Sequence, residues 1–431
     1  MLYEHLGVDA AGHLTVGGLD TVALAERFGT PLYVIDADRI RANCRTYRDA
    51  MAACCPEGSL PLFAGKALCF RMLYPILDEE GMGADVVSVG EIATALAGGF
   101  PAERMWFHGN NKTETDLRYA LSHEVGHIVV DDPRELRQLD ALAAEYGVRQ
   151  RVLLRVTPGI DPHTLESINT GRVDCQFGVP IETGQAARFV WAATGCAHLD
   201  VEGFHSHIGS QIFEAEPFCR AVDILLAFAD EMRTAYGFVA RVFDLGGGFG
   251  VRYLDRDPVV DIPGNIAALA EHLRSGCAER GYPVPAMLLE PGRSIAADAG
   301  LTLYEVGGQK VVEGHRTYVT VDGGMTDDPR YALYRAPYTV VPASRMRDEA
   351  DLVCTIAGRC CESGDLIQED VRLPSPQPGD LLAVLGTGAY NFTMASNYNR
   401  LPRPALVLVE GGKARLAVRR QTVEDLLACD L

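Results

Sequence analysis

The chain has 431 residues, of which 48% are hydrophobic and 23% are charged. This composition is typical of a globular enzyme, and the length predicts about two or three domains. Acidic residues outnumber basic ones by 58 to 39, and the net charge of -19 disfavours binding to nucleic acid or to anionic membranes. A small-molecule substrate is therefore the better expectation.

Local patterns indicate neither secretion nor a structural metal. The first residues do not form the basic and then apolar segment of a signal peptide, and no apolar run approaches the ~18 residues of a membrane span. Twelve cysteines are present, but none belongs to a Cys-x-x-Cys pair of the kind that binds zinc. We expect a cytoplasmic protein with no metal and no membrane partner.

A regular series of strands is predicted over the first two thirds of the chain, because short apolar runs end repeatedly in Gly, Asp or Ser. Segments with helical spacing of apolar residues separate them. Eight strands alternating with helices over about 250 residues are typical of a closed (β/α)8 barrel, an α/β fold. The predicted strands are 60–65, 84–88, 105–109, 127–131, 152–156, 201–209, 241–248 and 286–292. The predicted helices are 90–98, 115–122, 133–146, 181–194, 217–236 and 262–280.

The pattern changes after residue 294, where short strands follow one another with few helical intervals. This predicts a second, mostly antiparallel β domain. We expect residues 37–294 to form the cofactor-binding barrel, 295–431 the β domain that completes the active site, and 1–36, with a strand at 31–35, to contribute to the β domain. The predicted strands of this domain are 301–306, 315–321, 350–357, 380–385, 405–408 and 414–419.

Polar residues stand at the predicted carboxyl ends of the barrel strands, where barrels of this type carry out chemistry. We expect these side chains to face one mouth of the barrel. They are Lys66, Asp85, Ser88, His108, Asn110, Asn111, Asp131, Arg155, His205, His207, Gly246–Gly248 and Glu290–Arg293.

Lys66 follows an apolar run in which neither charge pairing nor amphipathic packing requires an amine. A lysine that leaves a buried strand can have its ammonium desolvated and its pKa lowered, which makes it a nucleophile able to form an imine. The alternative is a lysine whose stem lies on apolar surface while its charge stays in water.

Two further clusters suggest a phosphate ligand. Gly246, Gly247 and Gly248 follow a strand, where backbone N–H groups can approach an anion, although a tight turn with positive φ is the alternative. Glu290 and Arg293 end the next strand and add a carboxylate and a guanidinium. An imine-forming lysine, a phosphate cradle, a carboxylate and histidines at one mouth together describe a site for pyridoxal phosphate.

The chain also carries a combination of motifs that is jointly specific. They are Gly65-Lys-Ala67, Asp85–Glu91, Phe107–Lys112, Thr170-Gly171, Phe204–Gln211, Gly246–Gly248, Glu290–Arg293, Asp322–Met325, Arg330–Tyr334, Cys361–Asp365, Gly388–Tyr390 and Ser396–Asn399. With these motifs the chain resembles the alanine racemase-like class of pyridoxal phosphate enzymes and, within it, the diaminopimelate decarboxylase family.

That resemblance implies roles for the cofactor-binding residues. Lys66 matches the lysine that holds the cofactor covalently, and His207 matches the imidazole that stacks on its ring. Glu290 matches the carboxylate that keeps the ring nitrogen protonated, so that the ring can accept electrons. The other implied cofactor contacts are Asp85, Ser210, Gly246, Gly247, Gly248, Pro291, Gly292, Arg293 and Tyr390.

The resemblance also implies a substrate and a subunit arrangement. Arg293, Arg330, Tyr334 and Tyr390 match contacts to the substrate, with its distal carboxylate held by the first three, and Glu362 matches the contact to its distal ammonium. Cys361 matches the residue that delivers a proton after carbon dioxide leaves, and it comes from the neighbouring subunit of a homodimer with shared active sites. The implied reaction converts meso-2,6-diaminopimelate to L-lysine, the last step of bacterial lysine biosynthesis.

Other functions remain open on the residues. A decarboxylase of ornithine, arginine or a carrier-bound substrate would not need the distal set of Arg330, Tyr334 and Glu362. An amino-acid racemase would want a tyrosine acid-base facing the lysine, where this chain offers Cys361 and Glu362. A cofactor-binding protein without catalysis is a third, more distant alternative.

Three local patterns need separate interpretation. His123 and His127 fit a zinc-protease spacing, but Gly126 and the β-rich run after it oppose the single helix that such a site requires. His205 and His207 alternate along a predicted strand, so we expect them on opposite faces, with His205 structural. Gln176 stands where the family usually has a lysine.

Overall fold

The computed structural model describes residues 1–160 and 174–431, which form two compact units. The first unit comprises Met1–Asn43, Val251–Pro258 and Arg293–Leu431, and the second comprises Cys44–Gly250 and Val259–Gly292. None of the helices in these residues combines the length and the hydrophobicity that crossing a bilayer requires.

Strands and helices are numbered along the chain. The strands are β1 (Leu6–Val8), β2 (Leu14–Val16), β3 (Leu19–Asp20), β4 (Leu32–Asp36), β5 (Leu60–Ala64), β6 (Gly83–Val86), β7 (Met105–Phe107), β8 (His127–Val130), β9 (Gln150–Thr157), β10 (Val179–Pro180), β11 (Leu199–His205), β12 (Val242–Asp244), β13 (Ala286–Leu289), β14 (Gly300–Val312), β15 (Arg316–Val321), β16 (Thr339–Val341), β17 (Leu352–Ala357), β18 (Leu366–Leu373), β19 (Leu381–Leu385), β20 (Ala405–Glu410) and β21 (Lys413–Val418). The helices are α1 (Thr21–Phe28), α2 (Ala37–Cys54), α3 (Leu73–Glu79), α4 (Val89–Ala97), α5 (Glu114–Ser122), α6 (Pro133–Tyr146), α7 (Gln185–Thr194), α8 (Glu216–Tyr236), α9 (Ile262–Arg280), α10 (Arg293–Ala296), α11 (Arg330–Tyr334) and α12 (Val423–Leu427).

The second unit is a closed parallel barrel. Its strands run in the order β5-β6-β7-β8-β9-β11-β12-β13, and β13 pairs in parallel with β5 to close the ring. The short strand β10 pairs with β9 beside the ring. All eight barrel strands predicted from the sequence are confirmed, although several predicted ends run past the last paired residue.

Side chains fill the interior of the barrel. Leu62, Trp106, Val129, Leu153 and Leu288 form one buried cluster. Apolar layers of this kind make a barrel a packed core rather than a pore. Polar chemistry is therefore confined to the ends of the strands.

The barrel helices begin and end at residues with clear local signals. The Asp132 side chain accepts hydrogen bonds from the first turn of α6, Pro133 occupies the first helical position, and Gly147 ends the helix with a left-handed backbone. Asp261 and Gly281 bound α9 in the same manner. These two helices have the predicted bounds because their signals are local.

The first unit is mostly β. Its large sheet has the order β18-β17-β15-β14-β4-β20-β21, and β19 pairs with both β14 and β16. The pairs β15–β17 and β4–β20 are parallel, and the other pairs are antiparallel. A small antiparallel sheet of β1, β2 and β3 precedes them. The fold class predicted from the sequence, a (β/α)8 barrel with a mostly antiparallel β domain, is confirmed.

Candidate active site

A cavity of about 390 Å³ lies at the carboxyl ends of the barrel strands. Lys66 follows β5, Asp85 lies near the end of β6, and His108 follows β7. Because parallel strands of a closed barrel end on one side, these residues converge although they are distant in the chain. The lining residues are Lys66, Asp85, Val87, His108, Gly109, Asn110, Arg155, Phe177, His205, His207 and Glu290.

Some members of the predicted polar ring lie outside this cavity. Ser88 accepts a hydrogen bond from Glu91 N and so caps α4. Asn111 and Asp131 line a neighbouring cavity of about 560 Å³ in the same unit. The sequence could not separate the side chains that line this cavity from those around it.

Glu290 is the electrostatic centre of the cavity. Its Oε1 lies 3.0 Å from His108 Nε2 and 3.4 Å from His205 Nε2, and all three side chains are almost fully buried. Burial alone would raise the pKa of Glu290, but the two imidazoles together hold it well below its usual range. Burial also lowers the pKa of His205 to about 3, so that imidazole is neutral. Glu290 is therefore an ionised carboxylate facing the cavity.

Asp85 lies on the other side of His108, with 3.8 Å between Asp85 Oδ1 and His108 Nε2. Its side chain is 1% exposed, and burial raises the pKa of this carboxyl group. The carboxyl groups of Asp85 and Glu290 thus have pKa values shifted in opposite directions. Such divergence between neighbouring acids is typical of a functional site.

Lys66 is exposed at the end of a buried segment. It sits in a single short turn, Gly65–Ala67, whose flanking residues Gly65 and Ala67 are buried while the lysine itself is exposed. Of the two alternatives that the sequence leaves open, this exposure favours an amine in contact with water. The amine nevertheless lines the same cavity as Glu290 and His207.

His205 and His207 both line the cavity, contrary to the expectation that they point to opposite faces. The alternation of a strand does not reach His207 because β11 ends at His205. Burial in the barrel lowers the pKa of His207 well below its usual value, and the positive charge of Lys66 is the next largest cause. A neutral, half-buried imidazole is suited to stacking on an aromatic ring.

The glycine loop after β12 is required by close packing. A Cβ on Gly247 would stand 2.0 Å from the carbonyl oxygen of Glu290, and one on Gly248 would stand 2.3 Å from that of Gly209. Gly248 has a φ of +119°, which other residues rarely adopt. The backbone N–H groups of Gly247 and Gly248 donate to no group in the described part of the chain. The loop is therefore both a tight turn and a candidate anion cradle.

The segment after β13 packs against the turn that carries Lys66. Ala64 N donates to the carbonyl oxygen of Pro291 over 3.3 Å. A Cβ on Gly292 would stand 2.9 Å from the Cβ atoms of Ala64 and Ala67. Pro291 and Gly292 thus fix the Lys66 turn, while Ser210 follows Gly209 beside the glycine loop.

The first unit contains a cluster of two buried arginines around Tyr390. The guanidinium carbon of Arg293 lies 4.7 Å from the centre of the Tyr390 ring, and that of Arg330 lies 5.4 Å from it. Arg330 also lies 5.6 Å from the ring of Tyr334. Two buried guanidinium groups on one aromatic ring form a strong candidate site for a carboxylate.

Tyr253 belongs to the same cluster and was missed by sequence reasoning. Its hydroxyl is 2.9 Å from Arg293 Nη1, which donates to it. The segment Val251–Pro258 belongs to the first unit although barrel elements flank it in the chain. No local pattern in the sequence indicates that this segment joins the first unit. Tyr390 has a φ of +63°, a strained conformation of the kind that clusters at functional sites.

Cys361 and Glu362 differ from the arginine cluster in their burial. Both residues are exposed, and Cys361 is a free thiol. Within the described residues, neither side chain forms a hydrogen bond or ion pair with Arg293, Arg330 or Tyr390. The first unit therefore brings four of the five predicted substrate contacts together and leaves Glu362 outside.

Gln176 is exposed, and its neighbours tie the loop to the barrel. Gly178 N donates to Asp131 Oδ1 over 2.9 Å, and the Arg155 guanidinium lies 4.6 Å from the Phe177 ring. The motif Thr170-Gly171 lies outside the described residues. As for the zinc-protease spacing, His123 follows α5 while His127 begins β8, so the two do not share a helix.

Comparisons with known proteins agree with this geometry. A family model described as "Pyridoxal-dependent decarboxylase, pyridoxal binding domain" matches residues 37–297. The diaminopimelate decarboxylase of Bacillus subtilis is 45% identical over 97% of this chain and 95% of its own length. That of Mycobacterium tuberculosis is 41% identical over 98% of this chain and 96% of its own length.

The chain belongs to the diaminopimelate decarboxylase family.

Solved structures extend the comparison to the fold. A diaminopimelate decarboxylase from M. jannaschii in complex with L-lysine has a TM-score of 0.90 and 31% identity, covering 99% of this chain and 98% of its own. A lysine/ornithine decarboxylase from Vibrio vulnificus in complex with putrescine has a TM-score of 0.76 at 24% identity over 94% of this chain and all of its own, and shows the same fold only.

Pyridoxal phosphate is the cofactor of the diaminopimelate decarboxylase family, and the cavity has features that suit it. An ionised, buried Glu290 matches a protonated ring nitrogen, since a buried carboxylate requires a positive partner. Lys66 supplies an amine for an aldehyde at the same cavity, and the unused N–H groups of Gly247 and Gly248 suit a phosphate. This chain therefore carries the residue types that the cofactor needs.

Proposed function

We propose that this chain decarboxylates meso-2,6-diaminopimelate at its D-centre to give L-lysine and carbon dioxide. The observation that carries the choice of substrate is the pair of buried arginines on Tyr390. Diaminopimelate has a second carboxylate at its distal end, whereas lysine, ornithine and arginine have none. Substrates without a distal carboxylate forgo the charge-assisted contacts that these two guanidinium groups can make, which costs affinity. The L-lysine in the M. jannaschii structure agrees with the proposed product.

When bound, pyridoxal phosphate supplies a ring that accepts the electron pair left on the α-carbon as carbon dioxide departs. Lys66 would hold the cofactor through its side-chain amine. Glu290 would keep the ring nitrogen protonated, and His207 would pack on the ring. Asp85, Ser210, Pro291, Gly292 and the amides of Gly246–Gly248 complete the cofactor contacts.

On the substrate side, Arg293, Arg330 and Tyr334 orient the distal carboxylate, and Tyr390 is a further substrate contact. Cys361 and Glu362 serve the site of a second copy of the chain, where Cys361 gives its proton to the α-carbon and Glu362 receives the distal ammonium. The exposure of both residues supports a homodimer with shared sites. All twelve cysteines are free, which supports a reducing, cytoplasmic location.

The substrate assignment is tested by carbon dioxide release. The protein loaded with pyridoxal phosphate is incubated separately with meso-diaminopimelate, lysine, ornithine and arginine. We expect release from diaminopimelate alone. Release from lysine or ornithine without release from diaminopimelate would refute the proposal and favour a decarboxylase of a related amino acid.

Two arginine variants sharpen the same assay. Arg330→Met should raise KM for diaminopimelate by about 30-fold or more, because a carboxylate loses a buried charged partner. Arg335→Met is the matched control, since Arg335 follows the same helix α11 but its side chain is 64% exposed beside Glu369. Equal effects of the two variants would contradict the role of Arg330.

A further inference from the structure

The loop that carries Cys361 is held at two successive backbone amides. Cys360 N donates to Asp365 Oδ2 over 2.6 Å, and Cys361 N donates to Asn399 Oδ1 over 2.7 Å. Asp365 lies four residues beyond Cys361, whereas Asn399 comes from a distant segment after β19. The two backbone amides that lead into the residue with the exposed thiol are thus held by acceptors from different parts of the unit.

Asp365 forms the buried base of this loop. Its side chain also accepts a hydrogen bond from Met325 N over 2.6 Å, and its own carbonyl oxygen accepts one from Gly358 N. A Cβ on Gly324 or Gly358 would stand within 2.5 Å of the Asp365 carboxylate. Glycine at both positions makes room for the carboxylate, so the start of the loop has little freedom.

Asn399 reaches Cys361 from a short turn with unusual backbone geometry. Its φ is +52°, in the left-handed region that asparagine tolerates better than most residues. The nearby Asn397 points elsewhere, because its Nδ2 donates to the carbonyl oxygen of Leu401 and to Gln421 Oε1. Of these two asparagines, only Asn399 contacts the loop of Cys361.

We propose that Asn399 is a positioning residue that sets the direction of the Cys361 thiol for proton delivery. This rests on the proposed function, in which Cys361 gives its proton to the α-carbon and regains one from solvent after the product leaves. A proton donor must lie within hydrogen-bonding reach of the atom it protonates and on one face of it. An exposed loop without the Asn399 contact would present the thiol in many directions, and a misplacement of about 1 Å can cost about 100-fold in rate.

The test compares variants that distinguish loss of the Asn399 hydrogen-bond acceptor from a change in the backbone conformation at this position. Asn399→Gly keeps the left-handed φ but removes the acceptor, whereas Asn399→Asp keeps an acceptor. Asn397→Ala, in the same segment, is the matched control for general loosening. Decarboxylation of diaminopimelate is run in deuterium oxide, and kcat, KM and the configuration of deuterium at the ε-carbon of lysine, which is the former D-centre of the substrate, are measured.

We expect Asn399→Gly to lower kcat by about 10- to 100-fold with KM unchanged within about twofold, and to reduce the configurational purity of the deuterated product. Asn399→Asp should recover most of kcat, and Asn397→Ala should keep both kcat and configuration. Wild-type kcat and configuration in Asn399→Gly, or an equal loss in Asn397→Ala, would overturn the proposal. If the glycine variant does not fold, Asn399→Gln, which displaces the acceptor by one methylene, repeats the test with the same expected loss, and wild-type behaviour in it overturns the proposal.

A Cys361→Ala variant in the same assay shows whether a negative result concerns the role of Asn399 or the proposed function on which that role rests. Wild-type rate and configuration in Cys361→Ala would remove the proposed role of Cys361 and, with it, the inference. Loss in Cys361→Ala without loss in Asn399→Gly would overturn the inference alone.

Discussion

At the scale of single residues, burial decides the charge of the groups that the site depends on. Glu290 and Asp85 are both buried carboxylic acids beside His108, yet the pKa of Glu290 is lowered and that of Asp85 is raised. The difference arises because Glu290 contacts two imidazoles while Asp85 lies farther from His108. Composition cannot reveal this, since both residues are simply acidic in the sequence.

Asp328 is a buried acid whose titration should be visible in stability. Its side chain is fully buried, neither carboxylate oxygen has a hydrogen-bond partner in the described residues, and burial raises its pKa to about 8. The pKa is higher in the folded than in the unfolded state, so the contribution to stability is present below about pH 4 and is lost as pH rises to about 8.

We therefore expect Asp328→Asn to match the wild-type free energy of unfolding near pH 4 and to exceed it by about 1–3 kcal/mol near pH 8. Urea unfolding at both pH values measures the difference. Asp255→Asn, at a side chain that is 90% exposed, should show no such pH dependence. An Asp328→Asn variant that is less stable than the wild type near pH 8 would contradict the expectation.

At the scale of elements, local signals predicted helices better than strand ends. Helices α6 and α9 have a capping Asp, an early Pro and a final Gly, and the structure has their predicted bounds. The predicted strands 201–209 and 241–248 ran too far, because apolar and glycine residues continue into the loops that form the site. Strand β18 was missed since its polar residues Gln368, Glu369 and Asp370 interrupt the apolar run.

The contact between the loop after β7 and helix α6 depends on one buried ion pair. Lys112 Nζ lies 2.9 Å from Glu135 Oε1, and the two side chains are 3% and 0% exposed. Lys112 also donates to the carbonyl oxygens of Gly109 and Val129. Removing one partner leaves a buried charge without compensation, which is costly.

Lys112→Met should lower the free energy of unfolding by about 3–5 kcal/mol. The loss should be larger above pH 7 than below it, because burial already raises the pKa of Glu135 to about 7 beside the lysine and the variant removes that cation. Urea unfolding at two pH values tests this. Arg118→Met, which breaks a surface pair with Glu114, should leave the free energy of unfolding unchanged. Similar losses in both variants would show that burial of the pair is not the cause.

At the scale of the whole molecule, the proposed site requires two copies of the chain. Lys66 lines the barrel cavity, whereas Cys361 is exposed in the other unit. If Cys361 serves the cavity of a second copy, two different inactive variants can combine into one complete site. That expectation follows from twofold symmetry, in which each copy contributes the same surface to the other.

Mixing Lys66→Ala and Cys361→Ala proteins under conditions that exchange subunits should restore about a quarter of wild-type activity, since half of the dimers are mixed and each has one intact site. Each variant alone should be nearly inactive. Activity measured before and after mixing is the readout, and a mixture of each variant with itself is the control. No recovery despite proven exchange would place both residues in the site of one chain.

The sequence by itself determined the alternation of strands and helices, the barrel and the second β unit, and it supplied the candidate site residues. Periodicity, capping and turn chemistry are local, and the motifs around Lys66, His207 and Glu290 are short and contiguous. Only the tertiary structure decided which side chains share a cavity, that His205 joins His207, that Lys66 is exposed, and that Tyr253 and Asn399 reach Arg293 and Cys361. The physical reason is that burial and contact depend on segments far apart in the chain, so no local pattern records them.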